Sequence, residues 1–218
     1  MNSSLSPRTQ MTYQQVRAWS VLDPRTLAVF ERLPREDFVP AEWRGAAYGD
    51  LAIPLGDGQH MLTPALVGRI LQAVEPAPQD RVLEIGTGSG YLTACLALLG
   101  RSVHSLEIRA PLARAARGAL QRAGIGNAGI EEADAFAWQP DAPDYDVIVV
   151  TGAMPIYDAR FESLLRPGGR LFVITGSAPV MEAKLVRLTG QRKREETSLF
   201  ETLVDPLDHS ASPSPFAF

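Results

Sequence analysis

The chain is poor in the residues that most metal and redox chemistry requires. It has one cysteine, Cys95, and three histidines in 218 residues. A single cysteine excludes an intrachain disulfide framework and a zinc site built from several thiolates. The sequence contains no H-E-x-x-H, no paired metal-ligand spacing and no G-x-S-x-G elbow, so metal hydrolysis and serine chemistry lack their residues and no metal is expected. No apolar run approaches the ~20 residues of a membrane helix. The opening MNSSLSPRTQ has no apolar core of signal-peptide length. Charge of one sign never accumulates: 21 basic against 25 acidic residues leave a net charge of −4, which gives no nucleic-acid face. The densest basic stretch, Arg192-Lys193-Arg194, runs straight into Glu195 and Glu196 and reads as a solvated turn. The expectation is a cytoplasmic protein with neither nucleic-acid nor membrane partners. Cys95, within YLTACLALL, is expected to be a buried small hydrophobe.

What the chain does have is alternation. Residues 9–45 read as short helical pieces punctuated by Pro24, Pro34 and Pro40, and residues 46–64, rich in Gly, Pro and Asp, as an extended loop. Apolar residues at helical spacing follow over 65–74. From Arg81 short apolar runs alternate with helical stretches: strands at 81–85, 102–108, 128–134, 145–153 and 170–176, and helices at 91–100, 111–124 and 157–169, the last stopped by Pro167 and Gly168. Strands separated by helices imply right-handed parallel crossovers and a sheet covered on both faces. Two further strand-like runs, 181–190 and 198–204, joined around Gly190, predict an antiparallel C-terminal hairpin. The predicted fold is α/β: a Rossmann-like, mostly parallel sheet with helices on both faces and a small helical N-terminal cap. Its expected divisions are a cap and substrate loop over 1–64, a cofactor-binding domain over 65–207 and a flexible tail over 208–218.

The stretch VLEIGTGSGY, residues 82–91, carries the chemistry. Glycines after a strand let the chain turn tightly and let a ligand lie against bare main chain, while the next helix points its N–H groups at it. The spacing Gly86, Gly88, Gly90 departs from the dinucleotide fingerprint, which wants its third glycine or alanine where the bulky Tyr91 stands. Glu107, ending the second strand, can accept hydrogen bonds from both hydroxyls of a ribose. Glu84, just before the loop, would repel a pyrophosphate and suit a ligand with a positive end. S-adenosylmethionine (SAM), with its sulfonium and ammonium, fits this acid–glycine–acid set. Asp134, after the third strand, could meet the adenine amino group, and Thr151-Gly152-Ala153, at the carboxyl end of a buried strand, are site walls. The candidate cofactor residues are Glu84, Gly86, Thr87, Gly88, Ser89, Gly90, Tyr91, Glu107, Ile108, Asp134, Ala135 and Thr151.

Four segments, REDFVP (35–40), AAYGDLAIPLGDGQ (46–59), RVLEIGTGSGYLTA (81–94) and LLRPGGRL (164–171), together resemble the protein-L-isoaspartate O-methyltransferases, in order over most of residues 15–175. The resemblance implies SAM-dependent methylation of the free α-carboxylate of isoaspartyl residues in damaged proteins or peptides, the ester then collapsing to a succinimide. It also places Glu84, Gly86, Gly88, Ser89, Gly90 and Glu107 around the cofactor and Asp134 and Ala135 near the adenine, where the family usually has Asp-Gly.

One departure matters. After G-x-G-Q the family typically reads T-I-S-x-P, its hydroxyl residues helping to hold the substrate carboxylate, whereas this chain reads His60-Met61-Leu62-Thr63-Pro64. Leu62, at the serine position, can donate no hydrogen bond. His60 could attract a carboxylate if protonated. Thr63 either contributes to the site or caps the helix that starts at Pro64. His60 and Thr63 are therefore the candidate catalytic residues, and two alternatives stay open: a SAM-dependent methyltransferase of another substrate, or a SAM-binding module without catalysis.

Overall fold

The computed structural model describes residues 5–140, 145–189 and 193–212. The N-terminal part is a string of short helices that begin where a cap and a proline coincide. Ser6 accepts the Thr9 N–H at the head of α1 (Pro7–Gln10), and Asp23 accepts from Arg25 and Thr26 at the head of α2 (Pro24–Arg32). Between and after them lie a wide helical turn, Met11–Val16, and 3₁₀ turns at Arg17–Trp19, Arg35–Phe38 and Ala41–Ala46.

The next segment corrects the sequence reading. The stretch expected to be a plain loop contains a hairpin, β1 (Ile53–Gly56) against antiparallel β2 (Gln59–Met61). Its turn is Asp57-Gly58, with φ of 51° and 72°. An Asp-Gly pair with both residues left-handed is the turn whose twist matches two antiparallel strands. Then come α3 (Pro64–Val74), β3 (Arg81–Ile85), α4 (Tyr91–Leu99), β4 (Ser102–Glu107), α5 (Ala110–Arg122), β5 (Ala128–Glu132), β6 (Tyr145–Met154), β7 (Leu165–Ser177), β8 (Val180–Leu188) and β9 (Arg194–Thr202).

β3 to β9 form one sheet in the order β5-β4-β3-β6-β7-β8-β9. The first five positions are parallel, and β8 and β9 close the far edge antiparallel. The chain winds outward from β3 through β4 to β5, then returns to β6 on the other side. The carboxyl ends of β3 and β6 therefore flank the topological switch point, where α/β sheets place ligands.

Successive residues of the central strands enter two different cores. Val82, Val147, Val149 and Phe172 pack with α2, α3 and α4 on one face, and Leu83, Ile148, Val150 and Val173 pack with Phe161 and Leu165 on the other. The two faces are unequally clothed. The helix expected over 157–169 is a 3₁₀ turn, Ala159–Leu164, and β7 already begins at Leu165. Pro167 and Gly168 end any helix there, so the segment starting at Asp158 is too short for a stable α-helix. The hairpin of β8 and β9 forms as expected, although β9 begins at Arg194; Gly190, Arg192 and the last six residues lie outside the described residues. Cys95 is fully buried in α4. Among the described residues no helix is long and apolar enough to cross a membrane.

Thr63 stands at the N-cap of α3, where its hydroxyl accepts the Leu66 N–H at 3.3 Å and Pro64 follows at the first helical position. Loss of that acceptor leaves one main-chain donor of the first turn without its partner. Thr63→Ala should lower the unfolding free energy by about 1 kcal/mol, read as a reduced urea midpoint at unchanged m-value.

Candidate active site

The loop after β3 has the shape that only glycines supply. Gly86, Gly88 and Gly90 have φ of 93°, 53° and 81°, a region side chains disfavour. A Cβ on Gly86 would stand 2.3 Å from Thr151 Oγ1, a clash. Thr151 comes that close because β6 is irregular there. Its pairing with β7 slips between Val149 and Ala153, so the intervening residues leave the ladder. The Thr151 hydroxyl reaches the Ile85 and Gly86 carbonyls at 2.9 and 2.7 Å. Gly90 serves packing instead: its Cβ would stand 3.0 Å from the Cβ of Ala116 in α5.

Two acids are buried beside this loop. Glu107 is 4% exposed; its Oε2 accepts the Gly88 N–H at 2.8 Å and its Oε1 the Arg109 N–H at 3.0 Å. Each oxygen has one main-chain donor and keeps a lone pair. Glu84 has no exposed surface. Its Oε2 accepts from Thr93 at 2.5 Å and Ser105 at 2.6 Å, and Thr87 in turn lies 2.6 Å from the Ser105 hydroxyl. Its Oε1 is buried without a partner. The Glu84 carboxyl is pushed up to about 7: burial raises it most, the Ser105 and Thr93 bonds offset part of that, and the nearby Glu107 charge adds to it.

Tyr91, the first residue of α4, explains its own bulk. Its ring is buried against a tilted Phe30 and in an edge contact with Phe38, with the Arg35 guanidinium 5.0 Å from its centroid. Arg35 is wholly buried. Its Nε donates to the Ala47 carbonyl at 2.9 Å and its Nη2 to the Leu62 carbonyl at 2.8 Å, while Nη1 has no partner. The two carbonyls bracket the β1–β2 hairpin in sequence, so one side chain moors both ends of that rim.

A roof completes the crevice. After β9 the chain crosses the carboxyl ends of β3 and β6. Ala153 donates its N–H to the Asp205 carbonyl at 2.9 Å and accepts from Leu207 N at 2.8 Å. Gly152 lets this strap approach, since a Cβ there would stand 3.1 Å from Leu207 N. Three side-chain contacts tie it to three walls. Asp205 meets His60 of β2; Asp208 meets Arg109, just beyond β4, at 2.5 Å; and His209 Nδ1 meets Asp134, just beyond β5, at 2.7 Å. Although partial burial pushes Asp134 up, the His209 bond and its main-chain donors outweigh it, and the carboxyl lies below the usual range. Contact with Asp134 draws His209 up.

The crevice so formed is lined by every candidate cofactor residue except Gly90, together with His60 and Leu62. Thr63 is not among its lining residues; its hydroxyl caps α3. Asp134 lines the crevice with its oxygens on His209 and on the Phe136 N–H. Sequence reasoning missed Arg35, Arg109 and the strap. Asp208 and His209, expected to begin a flexible tail, are paired to the rim. The available clue was Pro206-Leu207, an apolar step between the acids Asp205 and Asp208.

Comparison with known proteins follows the same outline. A family model described as protein-L-isoaspartate(D-aspartate) O-methyltransferase matches residues 8–206. A protein-L-isoaspartate O-methyltransferase of Synechococcus sp. (strain JA-2-3B'a(2-13)) is 39% identical over 174 residues, covering 80% of this chain and 71% of that protein. One from Magnetococcus marinus is 38% identical over 201 residues, covering 90% and 88%. A Plasmodium falciparum chain crystallised with S-adenosyl-L-homocysteine superposes with a TM-score of 0.79 at 16% identity, covering 94% of this chain and 99% of that one. At that identity the likeness speaks for the fold.

Glu84 makes stability depend on pH in a definite direction. Its carboxyl holds a proton more tightly folded than unfolded. The stabilisation is therefore complete below the ordinary value of 4.5 and is lost as pH rises through about 7. In urea unfolding of the ligand-free protein, wild type should lose about 3 kcal/mol relative to Glu84→Gln across that window. Parallel pH profiles for the two proteins would refute the assignment.

Proposed function

The chain belongs to the protein-L-isoaspartate(D-aspartate) O-methyltransferase family, and from that membership we propose how its crevice works: as the site of a SAM-dependent methyltransferase that esterifies the free carboxylate of isoaspartyl residues in proteins. The observation that carries the cofactor assignment is Glu84. Glu84 is among the residues that line the crevice, and a carboxyl with one buried, unpartnered oxygen is costly unless something fills its remaining valence. A cationic ammonium or sulfonium does so. The rest of the lining is consistent with that ligand: glycines 86 and 88 leave no side chain over the loop, and Glu107 keeps a lone pair on each oxygen for two ribose hydroxyls. Ile108, Asp134 and Ala135 would wall the adenine side, and Ser89 and Thr151 the glycine-loop side.

When bound, SAM supplies an activated methyl group. The chain's own task is then modest. A carboxylate acceptor is ionised at neutral pH, so no general base is required. What remains is to align one oxygen with the methyl and to keep water away. The strap does the second, laying Val204, Pro206 and Leu207 over the crevice. At the acceptor rim Leu62 lends only apolar surface, and His60 carries the polar donors. The fully buried Cys95, its thiol pushed up by burial, is an inert packing residue, and a chain with one cysteine suits a reducing, cytoplasmic setting.

Two measurements test this reading. Incubated with methyl-labelled SAM, the protein should place a base-labile methyl on an isoaspartyl peptide and leave the aspartyl version of that peptide unlabelled; equal or absent labelling would count against the acceptor assignment. Glu107→Ala should weaken SAM binding by roughly 1–3 kcal/mol in calorimetry, as for a lost pair of charge-assisted hydrogen bonds. Unchanged affinity would remove Glu107 from the ribose.

A further inference from the structure

A carboxylate already sits against the acceptor rim, and it belongs to the chain itself. Asp205 Oδ2 accepts the His60 main-chain N–H at 2.6 Å, and its two oxygens lie 3.1 and 3.2 Å from His60 Nδ1. Both residues line the crevice. The strap's path does not need this contact, because the Asp205 main chain is fixed independently: its carbonyl accepts from Ala153, and Pro206 pairs with Ala153. Nor is the pair remote from the chemistry. Leu207, two residues on, packs against Gly152, and a Cβ on Gly86 would stand 3.8 Å from its Cδ1. Two residues of extended chain span only about 7 Å.

Among the described residues, neither arginine that lines the crevice pairs with a carboxylate at the acceptor rim, and the third nitrogen of Arg35, Nη1, is buried without a partner. Arg109 is engaged by Asp208, and Arg35 spends two of its nitrogens on main-chain carbonyls. The donors that do hold a carboxylate at this rim are those of His60. We infer that Asp205 is a resident stand-in for the substrate's carboxylate: it fills the seat made by the His60 N–H and imidazole, and an isoaspartyl carboxylate docks there by displacing it. The inference rests on the acceptor class proposed above. Two carboxylates cannot share one pair of donors without strong repulsion. A carboxylate tethered on a fixed strap competes at high effective concentration. The seat is then free only part of the time, and apparent affinity for the acceptor falls by that fraction. Asp205 would thus set a threshold: weak carboxylates in solution fail to open the seat, and only an acceptor that also gains contacts along its peptide succeeds.

The test is equilibrium binding of an isoaspartyl peptide by calorimetry, with S-adenosyl-L-homocysteine saturating the cofactor site. Asp205→Asn and Asp205→Ala should each bind the peptide about tenfold tighter than wild type. The same peptide with its isoaspartyl carboxylate methylated should gain nothing. Adding His60→Ala to Asp205→Ala should reverse much of the gain. If neither Asp205 variant binds the peptide more tightly, or the methylated peptide gains as much as the acid, the inference is wrong. Loss of S-adenosyl-L-homocysteine binding in both variants would also overturn it, by making Asp205 a support of the crevice. Because the readout is binding, a protein that shows the tenfold gain yet transfers no methyl would keep the seat and lose the activity proposed above.

Discussion

The hydrogen bond from the Gly88 amide to the Glu107 carboxylate joins the glycine loop to the second strand of the sheet. Much of the crevice is referred to it. The loop must turn with positive φ at three glycines; the Gly90 N–H on the Thr87 carbonyl closes that turn locally, and this charge-assisted bond supplies an external anchor. Glu107 can act as anchor because it is itself held by the Arg109 amide at the start of the next crossover. On the other side, Thr151 reaches the same loop from the irregular end of β6. The loop is thus pinned from both neighbouring strands, and the deeply buried Glu84 lies beneath it, held through hydroxyls rather than through a cation.

Two further devices shape the crevice without belonging to the sheet. Arg35 reaches through the cap to hold two carbonyls of the rim, so the hairpin's position is set by a buried cation and not by the hairpin's own two short strands. A single two-stranded hairpin is marginal by itself. The strap is held differently, by main-chain bonds to Ala153 along its middle and by side-chain pairs toward each wall. Main-chain bonds fix where the strap runs, and partly exposed ion pairs contribute modestly to stability while deciding which wall each residue faces.

The legible part of the sequence was the part governed by short-range pattern. Strand, glycines, helix, strand and acid follow one another within about thirty residues, and each step has a local physical reason, so β3 to β4 and the residues around them could be read directly. Thr63 and Pro64 gave a helix start for the same reason. The hairpin at Ile53–Met61 was missed although Asp57-Gly58 is a strong turn pair, because prolines and glycines on both sides masked the strands. The helix before β7 was over-read because apolar spacing suggested it, while Pro167 and Gly168 had already limited its length. Arg35 and the strap were out of reach for a different reason. Their partners lie 12 to 145 positions away, and a buried arginine or a capping tail leaves no periodicity to detect. The loss of a hydroxyl at Leu62 was visible from the sequence. The carboxylate opposite His60 was not, because it comes from the far end of the chain.

Asp205 is followed by Pro206, whose nitrogen carries no hydrogen. An aspartyl residue ages when the next residue's main-chain nitrogen attacks the side-chain carboxyl, sheds its proton and closes an imide ring. Before proline that ring cannot close to a neutral imide. The acid that the chain keeps at the rim is therefore spared the very deterioration whose products the crevice receives, and neither the charge of Asp205 nor the chain spacing there can change by that route.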